Sequence, residues 1–260
     1  KATVHIKVDT GLSRFGLLPG EVLPFLEAIR DLPGLNIEGL FTHFASADEA
    51  DKSFTHHQLD IFNDTVRAVR AAGFPIQVRH AANSAASMDL PETHFEAVRP
   101  GITLYGLYPA PTVSHPVTLH PALSLISHLG RIREMPAGTS VSYGRTFIAS
   151  QPVRVGLVMV GYGDGFRRSL SGKGRVLVAG KPAPEIGRVC MDQFMVDLSA
   201  VPEAQEGDPV VVIGSDGRSS ISADDIAGQA GPINHEVFTG LSCRIPRIYV
   251  REGQVVDLVE

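Results

Sequence analysis

Residues 3–9 alternate apolar and polar positions, with Val4, Ile6 and Val8 on one face and His5, Lys7 and Asp9 on the other, the period of a β-strand. A helical pattern follows over residues 19–32, where Leu23, Leu26 and Ile29 share a side and Pro24 falls in the first turn. Residues 38–44 read as a second strand. Residues 54–72 read as a second helix, with Leu59, Phe62, Val66 and Val69 at helical spacing and an Ala-Gly-Phe-Pro stop signal. A third strand is expected at 77–82, a short helical turn from Asn83 to Met88, and a fourth strand at 96–101. After the Pro100–Gly101 turn the chain leaves on another strand-like run.

From His120 onward the pattern changes to short period-2 runs broken by turns, which predicts a β-barrel or sandwich-like domain. One short helix is expected at 222–228, and the final run returns to strand. The break between the patterns lies in the proline-rich PAPTVSHP, so we expect two domains, 1–115 and 116–260.

Strands interleaved with helices predict a parallel sheet covered by helices, with ligand sites just beyond the C-terminal ends of the strands. Four βα units cannot close a (β/α)8 barrel, which needs roughly 250 residues. The first half is therefore either an open sheet or an incomplete barrel. The chain opens directly on a strand with no initiator methionine, and this favours the back part of a longer polypeptide.

Composition narrows the function classes. The chain has 260 residues, 43% hydrophobic and 20% charged, as expected for a globular protein. A net charge of -5 leaves no basic footprint for nucleic acid. No apolar run reaches membrane-spanning length, no signal peptide is evident, and no metal-type cluster accompanies Cys190 and Cys243. A cytoplasmic protein is expected.

All four expected strands end in chemistry-bearing sequence. The first leads into Lys7, Asp9, Thr10 and Arg14, the second ends at His43, the third at Asn83 and Ser84, and the fourth at Arg99 and Gly101. Each has an ordinary alternative. His43 could be a hydrogen-bonded core histidine, Asn83 and Ser84 a helix N-cap, and Arg99 an edge ion pair. Their recurrence at equivalent positions favours a shared site.

The segments VHIKVDTGLSRFG, FTHFASADE, ANSAAS, AVRPGITLYGLYP, VSYGRTF, GYGDGF and GRVCMDQFMVDL occur in the order and at about the spacing found in bacterial alanine racemases, and together they span nearly the whole chain. The chain resembles that family. The resemblance implies an N-terminal (β/α)8 barrel, here about four βα units of it, followed by a mainly β domain. It implies pyridoxal 5′-phosphate as cofactor, alanine as substrate, and a head-to-tail homodimer with shared active sites making D-alanine for the cell wall.

Racemisation removes the α-proton from one face of an amino acid and returns one to the other, so two bases must flank the cofactor-bound carbon. The resemblance makes Tyr143 one base, although a turn tyrosine with a satisfied hydroxyl would look the same in sequence. The other base in the family is the lysine that anchors the cofactor as a Schiff base. No motif of that type occurs here, and Lys1, Lys7, Lys52, Lys173 and Lys181 all lie in other settings. This chain alone is expected to be inactive.

By the same resemblance, Arg99 faces the pyridine nitrogen and His43 supports it. Asn83, Ser84, Gly101 and Ile102 belong to the cofactor site, the last three as phosphate contacts. Arg14 lies near the phenolic oxygen and the substrate carboxylate, and Tyr162 and Met191 line the substrate pocket from the partner subunit. Lys7 matches a lysine that the family carbamylates; an ordinary pair with Asp9 or a glutamate is its alternative. The family often has a tyrosine as a further phosphate donor where this chain has Cys243 in SCRIPR. A broad-specificity amino-acid racemase, or a non-catalytic fragment of such an enzyme, are the competing readings.

Overall fold

The computed structural model describes residues 1–259, and the chain forms two compact units, Lys1–Pro121 and the remainder from Ala122. In the first, β1 (Ala2–Lys7), β2 (Leu35–Phe41) and β3 (Val78–His80) make a parallel sheet in that order. Helix α1 (Pro19–Ile29) follows β1, α2 (Ser53–Ala71) follows β2, and the short α3 (Ser84–Asp89) follows β3.

The sequence accounts for each helix. Pro19 opens α1, where its missing N–H costs nothing, and the Glu21 carboxylate accepts the backbone N–H of Leu18 at 2.8 Å. The helix buries Val22 and Leu26. Helix α2 buries Leu59, Phe62, Val66 and Val69 along one stripe, and Gly73 follows it with φ of 84°. Phe62, Val66 and Val69 join Val8, Val22, Leu26 and Leu40 in one core cluster, and Leu59 packs in a second one with Phe44 and Ala82.

The fourth strand expected at 96–101 does not form. The Glu96 carboxylate instead accepts the backbone N–H of Arg79 at 2.8 Å and pairs with its guanidinium. A side chain thus takes the edge donor of β3 that a fourth strand would have used, and Pro100 removes one donor from the candidate strand itself. The run after Gly101 is likewise a 3-10 turn, Ile102–Tyr105, ended by Gly106 at φ 79°. Three βα units are therefore present rather than four.

The second unit contains β4 (Leu125–Met135), β5 (Ser140–Val141), β6 (Phe147–Ile148), β7 (Val153–Val158), β8 (Arg175–Val178), β9 (Lys181–Ile186), β10 (Phe194–Asp197), β11 (Pro209–Asp216) and β12 (Ser219–Ile221). Helices α4 (Ala223–Ala230) and α5 (Asn234–Thr239) follow, then the hairpin β13 (Arg247–Arg251) and β14 (Gln254–Val259). Strands β11, β4, β7, β10, β9 and β8 pair successively, and β8 pairs back onto β11. That closure makes this unit a barrel rather than a sandwich and leaves no open edge in the ring. Phe166 and Phe194 stack in its interior at 4.2 Å, with Val158, Val176, Val196 and Val212 also fully buried. The helix expected at 222–228 is α4, capped by Ser222; α5 was not anticipated. Among the described residues no helix is long and apolar enough to cross a membrane.

Candidate active site

In the first unit the polar residues gather where the parallel strands end. Arg99 is the hub. Its backbone N–H bonds the Ala82 carbonyl at 2.9 Å, which ties the segment after Phe95 to the end of β3. Its Nη1 donates to His80 Nδ1 at 2.7 Å and to the His80 carbonyl at 3.0 Å. Its Nη2 donates to the Thr42 carbonyl at 2.8 Å, to His43 Nδ1 at 3.2 Å and to the Ala81 carbonyl at 3.3 Å. The edge ion pair that sequence allowed for Arg99 is absent among these partners, which are carbonyls and neutral ring nitrogens.

The two histidines are held uncharged. Burial, reinforced by the Arg99 guanidinium, lowers both His43 and His80 to about 4. Burial also lowers Arg99 from its usual value.

Lys7 lies at the end of β1, 7% exposed. Its Nζ has no hydrogen-bond partner and sits 3.7 Å from the centre of the Phe15 ring. Burial first, then Arg14 and Arg99, pull its pKa down, while Asp9 acts in the opposite sense. The Lys7–Asp9 pair does not form, because Asp9 Oδ1 accepts the backbone N–H groups of Gly11 and Ser13, both at 3.0 Å. Arg14 is exposed in the turn after β1.

A second cluster surrounds Ser84. Its Oγ accepts the Gly101 N–H at 2.8 Å and the Thr103 hydroxyl at 3.3 Å. Ile102 begins the 3-10 turn, where an N–H has no partner within the turn. A Cβ on Gly101 would meet only Ser84 Oγ, at 3.9 Å, so the backbone there is open to a ligand. Asn83 caps α3 by accepting the Ala86 N–H at 3.0 Å, the alternative that its sequence position allowed.

In the second unit three loops are stitched together. Ser142 Oγ donates to the Arg188 carbonyl at 2.6 Å, the Tyr162 N–H to the Cys190 carbonyl at 3.0 Å, and the Gly163 N–H to the Met191 carbonyl at 2.7 Å. Tyr143, Tyr162 and Met191 thus share one loop cluster and are 69%, 42% and 62% exposed. Asp164, 1% exposed, accepts the Gly161 N–H at 2.9 Å and binds Arg244, which ties the SCRIPR segment with Cys243 to the same cluster.

Two models for the alanine racemase family match the chain, the N-terminal domain over residues 1–109 and the C-terminal domain over residues 122–249. A protein named alanine racemase from Desulfosudis oleivorans is 45% identical over 257 residues, covering 95% of this chain and 66% of the relative. The chain belongs to the alanine racemase family. Another member, from Halothermothrix orenii, is 44% identical over 246 residues, covering 95% of this chain and 65% of its own. The crystal structure of alanine racemase from Bacillus anthracis with bound L-Ala-P superposes with a TM-score of 0.92 at 38% identity, over 99% of this chain and 67% of that one. This chain therefore spans about two thirds of the length of the relatives it matches. The family fold is a barrel-like N-terminal domain followed by a mainly β domain, and the family depends on pyridoxal 5′-phosphate.

Sequence reasoning singled out Arg99, His43, Ser84 and Lys7, all of which the first unit gathers at strand ends. It missed His80, the shortest side-chain contact of Arg99. A signal was available: strands of a covered parallel sheet are near-continuously apolar, so the histidines of VHIKV and VRHAA are anomalies.

Proposed function

We propose that this chain supplies the ring-holding and phosphate-holding part of a pyridoxal 5′-phosphate site in an alanine racemase that interconverts L- and D-alanine. The observation that carries this reading is Arg99, a cation fixed by carbonyls and imidazoles at the strand ends, with the Ser84–Gly101–Ile102 cradle following in the same chain segment. These residues fit the non-covalent demands of the cofactor, namely a non-dissociating donor for the ring nitrogen and small-residue backbone for the phosphate.

When bound, pyridoxal 5′-phosphate supplies the conjugated electron sink that acidifies the α-proton of the amino acid. Arg99 would hold the ring nitrogen by an N–H donor that does not give up its proton, and a cofactor held so would be a weaker electron sink than one facing a carboxylic acid. His43 and Thr42 orient Arg99. The Ser84 hydroxyl and the Ile102 N–H hold the phosphate, with the Gly101 N–H first satisfied by Ser84. Tyr143 moves the proton on one face of the substrate. Its 69% exposure, and the 62% exposure of Met191, suit side chains presented to the partner subunit's cofactor in a head-to-tail dimer. The lysine for the opposite face is not among those of this chain: Lys52 is bound to the Ala47 carbonyl and to Asp89, and Lys181 pairs with Glu203. The parallel sheet with its three helices is on this reading part of a larger (β/α)8 barrel.

Lys7 carries a carbamate in this proposal. Its lowered pKa leaves more free amine to add to CO2 with loss of a proton, and the resulting anion faces Arg14 where an ammonium would be repelled. Intact-mass analysis at neutral pH is expected to show one added CO2 that is lost in acid; an unmodified Lys7 in the active enzyme overturns this part.

The decisive assay is D-alanine formation from L-alanine. The 260-residue chain with added cofactor is expected to form none. Borohydride reduction is expected to leave Lys7 and Lys52 without a phosphopyridoxyl label, and racemisation by this chain alone would overturn the assignment.

A further inference from the structure

The Arg99 contacts continue outward through residues that the site does not otherwise use. His80 Nε2 lies 2.7 Å from His5 Nδ1, and His5 Nε2 lies 2.8 Å from Glu38 Oε2. Parallel pairing brings these groups together, since His5 aligns with Gly39 and His80 with Phe41. Two further observations show that the arrangement is built. A Cβ at residue 39 would come within 2.7 Å of His5 Nδ1 and 2.9 Å of His5 Cε1, so glycine makes room for that ring. Phe41 stacks on His80 at 4.8 Å and 11°.

The hydrogen-bond directions then follow from one end. Arg99 has only donors, so His80 Nδ1 must accept. A neutral His80 therefore carries its proton on Nε2 and donates to His5 Nδ1, and His5 carries its proton on Nε2 and donates to the Glu38 carboxylate. The opposite tautomer of His80 would set two donors against each other at Arg99.

The geometry points to His5 and Glu38 as positioning residues of the cofactor site, which supply the matching acceptors for the His80 tautomer that Arg99 selects and so hold the His80 ring and the Arg99 guanidinium in place. In functional terms this rests on the reading of Arg99 as the partner of the ring nitrogen. The tautomers themselves are a property of the chain and stand or fall without it. Each donor points toward Glu38, so the buried cation is coupled to a carboxylate at the rim through two neutral rings. His5 and Glu38 side chains are 25% and 34% exposed, which leaves the outer end of this relay within reach of solvent.

The test is imidazole nitrogen NMR on the uniformly 15N-labelled 260-residue chain at neutral pH. Both rings are expected to show a bare Nδ1 and a protonated Nε2. In Glu38→Gln, whose amide oxygen can still accept from His5, the nitrogen resonances of His80 are expected to shift although the two side chains do not touch. In His5→Phe, His80 keeps the tautomer that Arg99 selects but loses the acceptor of its Nε2–H, so its Nε2 resonance is expected to shift, and exchange of the Arg99 guanidinium protons is expected to speed up about tenfold, the cost of one neutral hydrogen bond. His5→Gln restores an acceptor and is expected to return the His80 Nε2 resonance toward its wild-type position. A proton on His80 Nδ1, or His80 resonances indifferent to both Glu38→Gln and His5→Phe, would overturn the inference. Neither readout involves racemisation, so failure here is separate from failure of the proposed activity.

Discussion

Arg99 has two kinds of acceptor around it, backbone carbonyls and imidazole nitrogens, and no carboxylate among its partners, so its role depends on staying protonated without being neutralised. On the proposed reading, replacing it by glutamate puts an acid opposite the ring nitrogen; it also removes the cation that helps depress His43 and His80. In the intact enzyme that holds the cofactor lysine, Arg99→Glu is expected to raise side transamination at the expense of racemisation, measured as pyruvate formed per D-alanine; an unchanged ratio would remove Arg99 from the ring nitrogen. Tyr143 makes the complementary one-sided prediction. If its exposed hydroxyl serves one face of the substrate, as proposed, Tyr143→Phe in the intact enzyme that holds the cofactor lysine is expected to abolish solvent-deuterium incorporation starting from one enantiomer, by about 10²-fold or more, and to spare cofactor binding. Equal losses from both enantiomers would contradict a one-face role.

Periodicity located β1, α2, β3 and the alternating strands of the second unit because each element's own residues decide its period. The fourth strand was misread for a reason invisible to periodicity: a glutamate side chain seventeen residues along the chain caps the β3 edge at the Arg79 N–H. His80 and Glu38 escaped notice similarly, since their roles arise only when parallel pairing brings distant residues together. Residue types at strand ends were legible; partners across strands were not. Gly39 ties the two levels together. A methyl group there would strike the Val78 carbonyl, part of the sheet backbone that pairs β2 with β3, and the His5 ring, which would have to leave its place against His80. Gly39→Ala is expected to destabilise the first unit by about 1–3 kcal/mol, the usual cost of overpacking. Urea unfolding followed by circular dichroism checks it, and a change below about 0.5 kcal/mol would mean that the sheet accommodates the methyl group.

The two units are expected to respond to pH in opposite directions because each buries a different kind of titrating group. In the first, His43 and His80 bind a proton at about 6.5 when unfolded but only at about 4 when folded. Acidification through that window therefore favours the unfolded chain, and the stability present above about 6.5 is progressively lost toward 4. Discounted for partial exposure, each ring contributes about 1–2 kcal/mol. In the second unit, Glu185 on β9 is 3% exposed, with Oε1 unpartnered and Oε2 accepting the Gly172 N–H. Burial raises its carboxyl from 4.5 to about 7. The folded unit thus keeps a proton that the unfolded chain has released, and stability fully present below 4.5 is lost as pH rises toward 7. That contribution is of the order of 2–3 kcal/mol. Between pH 7 and pH 5 the first unit is expected to weaken while the second strengthens. Hydrogen exchange resolved by peptide mass spectrometry distinguishes them, with protection falling around β2 and β3 and rising around β8 and β9. Glu185→Gln is expected to flatten only the second response, and a parallel change in both units would show that these buried groups do not govern it.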